Sequence, residues 1–327
     1  MTWRNTPVLV TGGGGFIGSH LVERLVREGA RVRALVTYRS SGSAGWLDRS
    51  ELASEVELVR GDLRDRDLVT KAVQGRQVVF HLGALIAIPY SYEAPESYVD
   101  TNVTGTLNVL VAARAAGVER VVHTSTSEVY GTARRVPIDE HHPLQGQSPY
   151  AASKIGADKM AEAFQLSFGL PVVTVRPFNT YGPRQSSRAV IPTLITQALS
   201  GHVLKLGNVT PTRDFLFVGD TVSGFLMAGA TADAVGQVVN LGTGLEISIA
   251  DLARLIARLC GSTAHVEREA QRIRPTGSEV ERLCADNSKA TRVLGWAPTV
   301  DLEAGLGQTI EWLRRNLELY RPKDYVV

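Results

Sequence analysis

Val8-Leu9-Val10-Thr11-Gly12-Gly13-Gly14-Gly15-Phe16-Ile17-Gly18 sets the class of the whole chain. An apolar, β-branched run leads into four glycines and then into the amphipathic stretch Phe16–Glu28. The pattern predicts a strand, a tight turn and a helix. Gly12, Gly15 and Gly18 fall on a G-x-x-G-x-x-G spacing. Without Cβ atoms there, the turn can close, a pyrophosphate can approach the backbone, and the helix can lie against its strand. The free N–H groups and dipole at the helix start, where Phe16 and Ile17 lie, favour an anion. Glycines alone make only a tight turn, but between a strand and a helix they predict a dinucleotide cradle.

Outward from this turn the same alternation continues. Strands are expected at Arg31–Val36, Val56–Arg60, Val78–Leu82, Arg120–Thr124 and Val172–Arg176. Helices are expected at Leu68–Val73, Tyr98–Ala116 and Tyr150–Phe168. Apolar strands separated by helices imply an α/β, Rossmann-type, doubly wound parallel sheet covered on both faces. Beyond Pro177 the rhythm breaks. Asn179–Arg188 is rich in Gly, Pro and polar residues, with a helix expected at Ile191–Leu199 and a short strand at Val203–Leu206. Asp214–Ala230 and Gln237–Leu241 read as a further helix and strand of the sheet, followed by helices at Ile249–Leu259 and Leu302–Leu317. The expected division is a dinucleotide-binding domain of residues 1–176 plus 213–244. Residues 177–212 plus 245–327 form a smaller, interleaved C-terminal substrate lobe.

Composition narrows the function. The 327 residues carry 35 Lys+Arg against 33 Asp+Glu, a balance that lacks the basic footprint of a nucleic-acid binder. The apolar stretch Val78–Tyr90 contains His81 and is shorter than the roughly 20 residues needed to span a bilayer. MTWRNTPVLV runs directly into a strand without the apolar core of a signal peptide, so a cytoplasmic location away from membranes is expected. Cys260 and Cys284 are too few for a disulfide framework or a zinc site. The neighbours His141-His142 read as a solvated loop, and no metal is expected.

Four further stretches bear on chemistry. The second strand ends Thr37-Tyr38-Arg39-Ser40, without the acid that usually holds an adenosine ribose. Arg39 with the Thr37 and Ser40 hydroxyls suits a 2′-phosphate, which tilts the expectation to NADP over NAD; a solvated basic loop is the alternative. Gly61-Asp62-Leu63 offers Asp62 either to an adenine amino group or as a helix N-cap. Tyr150-Ala151-Ala152-Ser153-Lys154 places a phenol and an ammonium on one helical face. Bringing a phenol of pKa near ~10 to neutrality takes roughly 3 units, about 4 kcal/mol, from nearby positive charge. Thr124-Ser125-Thr126-Ser127-Glu128 lies at a strand's carboxyl end, where ligands of open α/β sheets bind. There Glu128 is an acid/base beyond what alcohol oxidation requires.

Together TGGGGFIG, STSEVYG and YAASK resemble the extended short-chain dehydrogenase/reductases that act on nucleotide sugars. HLGA (His81–Ala84), Asn102 in DTNVTGT, RPFNTYGPRQ (Arg176–Gln185), PTRDF (Pro211–Phe215) and RPTGSEVERL (Arg274–Leu283) extend the resemblance along the chain. Within that family, Thr126-Ser127-Glu128 resembles nucleotide-sugar 4,6-dehydratases and also UDP-glucuronate decarboxylases, whereas 4-epimerases usually carry small residues there. LIAIPYSY, TSTSEVYGTA, SPYAASK and RPFNTYGPRQSSRAVIPT look most like the 4,6-dehydratases of the legionaminic acid pathway, acting on nucleotide-linked N-acetylglucosamine.

The resemblance implies NAD(P), tightly bound and recycled, with further cofactor contacts at Leu63, Leu82 and Ala84 and from Tyr150 and Lys154. Tyr150 would take the sugar 4-hydroxyl proton. Thr126 would bond the same oxygen, and Lys154 would bind the nicotinamide ribose and lower the Tyr150 pKa. Glu128 would remove the C5 proton, with Ser127 standing where some relatives place an acid. Asn179, Arg213 and Arg274 match positions that hold the diphosphate, with surface ion pairing as the alternative for the arginines. Glu279 is left between a ribose contact and a helix-entry acid. Tyr98–Ala116 and Tyr150–Phe168 resemble the helix pairs of a four-helix homodimer interface. An epimerase, a decarboxylase and a catalytically silent NAD(P) sensor are the competing functions.

Overall fold

The computed structural model describes residues 2–320. Met1 and residues 321–327, at the ends of the two expected domain ranges, lie outside them. The first part comprises β1 (Pro7–Thr11), α1 (Phe16–Arg27), β2 (Arg31–Thr37), β3 (Glu57–Gly61), α2 (Arg66–Val73) and β4 (Val78–His81). Next come α3 (Ile88–Glu93), α4 (Pro95–Tyr98), a π-helical turn (Val99–Thr104), α5 (Gly105–Ala116), β5 (Arg120–Thr124), α6 (Pro149–Phe168) and β6 (Val172–Pro177). The later part comprises β7 (Asn179–Tyr181), α7 (Val190–Ser200), β8 (Val203–Leu206), β9 (Thr212–Arg213), β10 (Phe215–Phe217), α8 (Val218–Ala230) and β11 (Val238–Leu241). It closes with β12 (Ile247–Ser248), α9 (Ile249–Cys260), β13 (His265–Arg268), α10 (Ser288–Leu294) and α11 (Leu302–Arg315).

Seven strands form one parallel sheet in the order β11-β6-β5-β4-β1-β2-β3. The order reverses between β1 and β4, so the loops after these two strands diverge and leave a crevice at their carboxyl ends. Alternating side chains build a core on each face. Val8, Val10, Val78, Phe80 and Val122 join the layer containing α1 and α8, while Leu9, Val79 and Val121 join that containing α2, α5 and α6. This period-2 division of buried side chains needs helices on both sides of the sheet. The remaining short strands pair separately, β7 with β10, β9 with β12 and β8 with β13.

The structure corrects several local expectations. Asp214–Ala230 is not one helix, because Phe215–Phe217 pairs as β10 with β7 and the helix starts at Val218. Asp214, completely buried, accepts hydrogen bonds from the backbone N–H groups of Thr243, Gly244 and Ala285 and from the Thr243 hydroxyl. Those long-range bonds hold the backbone extended just where local periodicity favours helix. The Tyr98–Ala116 helix contains the π turn. In that turn buried Asn102 reaches across to the Leu85 N–H and carbonyl and to Ser153 Oγ, and the wider coil admits the side chain. Helices α3 and α10 and strand β13 were not anticipated; all are short, and β13 is exposed along its length.

His142 is not solvated. It is buried, bonded at Nδ1 to the Pro143 carbonyl and at Nε2 to the Arg134 N–H. No group of three or more His, Cys, Asp or Glu among the described residues is arranged to hold a metal. No described helix is long and apolar enough to cross a membrane.

Candidate active site

The glycine turn lies at the reversal point. Gly12 has φ +70°, and a Cβ there would stand 2.9 Å from the Gly83 backbone of the neighbouring strand-end loop. A Cβ on Gly18 would fall 2.2 Å from the Gly12 carbonyl oxygen. Only glycine lets helix and turn close this tightly. Helix α1 begins after Gly15 with no side-chain cap and no acid in its first turn, so its opening N–H groups are offered to an external anion. Thr11 Oγ1 accepts the Gly83 N–H at 3.0 Å and bonds His81 Nδ1 at 2.8 Å, joining the ends of β1 and β4. This cradle fits a dinucleotide.

The other candidate cofactor residues follow successive strand ends. Thr37, Arg39 and Ser40 are exposed after β2, and half-buried Leu82 and Ala84 follow β4. Leu63 is buried after β3, where it fills the space beside Gly83 and Gly105. Asp62 is not the helix cap. Asp65 caps α2 by accepting the Leu68 N–H, while Asp62 is gripped by the Arg64 guanidinium and accepts its N–H. Those Arg64 bonds hold the Asp62 carboxyl below its ordinary range, partly opposed by burial.

Ser148 caps α6 through the Ala151 N–H, and Pro149 starts the helix, placing Tyr150 in the first turn. Tyr150 is 8% exposed, with the Tyr98 ring edge-on to its own. Burial pushes its phenol well above the ordinary range, a hydrogen bond with Thr126 acts the other way, and the Glu128 charge adds to the rise. The expected lowering by Lys154 is therefore not the balance struck by the chain's own groups. The buried Lys154 ammonium instead donates to the Thr124 carbonyl at 2.6 Å, and burial pushes it down to about 8. Thr126 caps the short turn Ser127–Tyr130 by accepting the Glu128 N–H at 3.2 Å. That turn buries Ser127 and leaves the Glu128 side chain half-exposed.

Glu128 acts electrostatically on Tyr150 and on Arg213, which joins the phenol end of the cleft to a pair of arginines. Arg213 is 7% exposed, so it is no surface ion pair. Its Nη2 lies 3.5 Å from Glu279, and Arg274 Nη1 lies 3.8 Å from the same carboxylate oxygen. Glu279 comes after the turn Thr276–Ser278 and starts no helix, which removes the helix-entry alternative. Arg274 Nη1 is buried without a hydrogen-bond partner. Burial and the Arg274 charge lower the Arg213 pKa, opposed by Glu128, Glu279 and Glu281. Two guanidiniums in one corner, the buried Arg213 and Arg274 with an unspent Nη1 donor, suit an oxyanion such as a diphosphate. Asn179, half-buried on β7, is bonded to the Asp214 carbonyl beside Arg213.

Sequence reading did not assign Asn102, Ser153 or Tyr98 a role. Ser153 accepts from Asn102 and donates to the Tyr150 carbonyl at 2.7 Å, so the π turn braces the first turn of α6. The DTNVTGT motif was the available signal. The chemistry on offer is proton transfer at a carbon or hydroxyl held between phenol and carboxylate, with an anion anchored on the arginines.

Comparison with known proteins agrees with this geometry. Residues 9–309 match the family model described as GDP-mannose 4,6 dehydratase. A UDP-glucose 4-epimerase of Mycolicibacterium smegmatis is 38% identical over 94% of this chain and 98% of its own. A dTDP-glucose 4,6-dehydratase of Actinoplanes is 33% identical over 94% of this chain and 98% of its own. Among solved structures, DesIV (dTDP-glucose 4,6-dehydratase) from Streptomyces venezuelae, with NAD and TYD bound, superposes with a TM-score of 0.88 at 33% identity, covering 96% of this chain and 99% of that one.

Proposed function

The chain belongs to the extended short-chain dehydrogenase/reductase family of nucleotide-sugar 4,6-dehydratases, and from that premise we propose that it makes a 4-keto-6-deoxy sugar nucleotide. The substrate is an NDP-N-acetylglucosamine or NDP-hexose. The observation that carries this reading is Glu128, a half-exposed carboxylate acting on both Tyr150 and Arg213. A 4-epimerase, like the M. smegmatis relative, has no step that requires a carboxylate there.

In this reading Tyr150 takes the proton of the sugar 4-hydroxyl, and Thr126 holds the same oxygen. When bound, NAD(P) would supply a hydride acceptor for C4 and donor for C6, and a positive charge that helps offset the burial holding the Tyr150 proton. The 4-ketone makes the C5 proton acidic, and Glu128 removes it. The proton acquired by Glu128 leaves with the C6 hydroxyl as water, through Ser127 or a solvent molecule, and C5 regains a proton from solvent, by way of Glu128, as hydride reaches C6. Lys154 orients the cofactor ribose. Gly12, Gly15, Phe16, Ile17 and Gly18 hold the pyrophosphate; Asp62, Leu63, Leu82 and Ala84 border the rest of the cofactor. Arg39 with Thr37 and Ser40 would receive a 2′-phosphate. Asn179 and Arg274, from residues 177–212 plus 245–327, hold the substrate diphosphate together with Arg213 at the boundary of the dinucleotide-binding domain, so the C-terminal part acts as the substrate lobe. The same reading includes a homodimer through the π turn with α5 and through α6, where Val99, Leu166 and Phe168 are exposed; sedimentation as a monomer would remove that part.

Incubation with a panel of UDP-, GDP-, CDP- and dTDP-sugars, read by product mass, tests the function. Loss of one water from a single substrate is expected. An unchanged mass with an inverted C4 would make the protein an epimerase, loss of carbon dioxide a decarboxylase, and no product at all a sensor. The cofactor released on denaturation, NADP or NAD, decides whether Arg39 holds a 2′-phosphate.

Arg213→Ala should weaken binding of the probe UDP roughly 10- to 100-fold, since a hydrogen bond to a charged group contributes about 1.5–3 kcal/mol. UMP should lose much less. Calorimetric titration showing equal losses for UDP and UMP would take Arg213 off the diphosphate.

A further inference from the structure

Below the reaction centre lies a buried charge cluster with no assigned part in the chemistry. Asp158 is one helical turn beyond Lys154 on α6 and is 4% exposed. Its carboxylate accepts from His123 Nε2 at 3.0 Å, from Ser125 Oγ at 2.7 Å and from Arg176 Nη2 at 3.0 Å. Arg176, buried on β6, also donates to Tyr130 Oη at 2.9 Å. Lys154 grips the Thr124 carbonyl while Asp158 grips Ser125, so two side chains from one face of α6 hold consecutive residues at the end of β5.

The charged and titratable groups around this corner come from every packed element. Besides Asp158 and Tyr150 on α6 they are His123 on β5, His81 on β4, Arg176 on β6, Tyr98 on α4 and Glu128 on the turn after β5. Both histidines are buried, and burial lowers their pKa values, so they are neutral donors or acceptors at neutral pH. Tyr98 and Tyr150 are both pushed up by burial, which favours their neutral forms until a positive charge enters the cleft. Burial raises the Asp158 carboxyl, but His123, Arg176 and Ser125 outweigh it and bring it down to about 2. Arg176 bonds the ionised Asp158 carboxylate directly, and the Lys154 ammonium, one turn before it on the same helical face, feels its charge. Arg176 cannot give up its proton. Any deficit of negative charge must therefore fall on Lys154.

We propose that Asp158 is the positioning residue that keeps Lys154 protonated beneath Tyr150, by balancing the ammonium and the Arg176 guanidinium within one buried cluster. Lys154 can support a phenolate and bind a ribose hydroxyl as a donor only while it keeps its charge. The inference leans on the proposed function for that consequence, but its test reads the lysine directly and holds whichever sugar is turned over.

The test is the pH titration of the Lys154 Nζ resonance by 15N NMR, on the purified full chain with NAD added. In Asp158→Asn the midpoint should fall by about one pH unit or more, the size of effect an adjacent opposite charge exerts. Should that variant fail to fold, Arg176→Gln gives the complementary reading. Removing the competing cation leaves Asp158 to Lys154 alone, and the midpoint should rise. A double variant should return it toward the wild-type value. A purely structural role for Asp158 predicts no such opposed shifts. A Lys154 midpoint unmoved by Arg176→Gln, or raised in Asp158→Asn, overturns the proposal.

Discussion

Tyr150→Phe should lower turnover roughly a hundred- to ten-thousand-fold, the range a positioned acid/base contributes. The substitution removes one oxygen and little else. The ring is 8% exposed and packed edge-on by Tyr98, so phenylalanine fills the same space, and cofactor binding should survive. Thr126 loses its partner but keeps the Glu128 N–H. What disappears is the base for the 4-hydroxyl proton, without which oxidation at C4 cannot start. Turnover within about threefold of wild type would show that the phenol is not that base. A pH dependence follows from the neighbouring lysine. Burial pushes Lys154 down to about 8, so it is charged below that pH and loses its charge as pH rises through it. Turnover should therefore decline on the alkaline side near pH 8, provided Lys154 acts as its ammonium. A flat profile up to pH 10 would separate that charge from the chemistry.

Glu128→Gln should divide the reaction at its midpoint. C4 oxidation depends on Tyr150 and Thr126 and should proceed, whereas loss of water should slow by a comparable hundredfold or more. Run in heavy water, the native enzyme should place deuterium at C5 of the product, because the proton taken there departs in the water and C5 is reprotonated from solvent. The Gln variant keeps the shape of the side chain but cannot accept a proton, so substrate recovered from it should carry none. The substitution is half-exposed and leaves the capping bond from residue 128 N–H to Thr126 in place, so the fold should tolerate it. Deuterium at C5 in the variant, at the native rate, would assign the C5 proton to another base and remove the observation on which the proposed dehydration rests.

Much of this site could be read along the chain because its chemistry is local. The glycine spacing encodes a turn whose geometry depends on residues within one strand–helix junction. The Tyr150–Lys154 spacing encodes a shared helical face. Glu128 stands four residues beyond the end of β5, and strand ends of a parallel sheet are where ligands collect. Local spacing alone left Asp62 open between an adenine contact and a cap, and its neighbour Arg64 grips it while Asp65 caps the helix. Where local pattern failed, a distant partner had overruled it. Residues 214–217 looked helical, but Asp214 is caught by loops at 243–244 and 285.

By itself, then, the order of residues determined the parallel α/β architecture and the glycine turn, and it pointed to the phenol, lysine and carboxylate of the proposed reaction centre. These follow from hydrophobic period and from spacings within a few residues. Only the tertiary structure decided that Arg213, Arg274 and Glu279 share one corner, that Asn102 braces α6, and that Asp158 pairs with Arg176 beneath the end of β5. The reason is that buried polar groups must find partners wherever the fold brings them. A charge's protonation is then set by neighbours far along the chain, which no local pattern records.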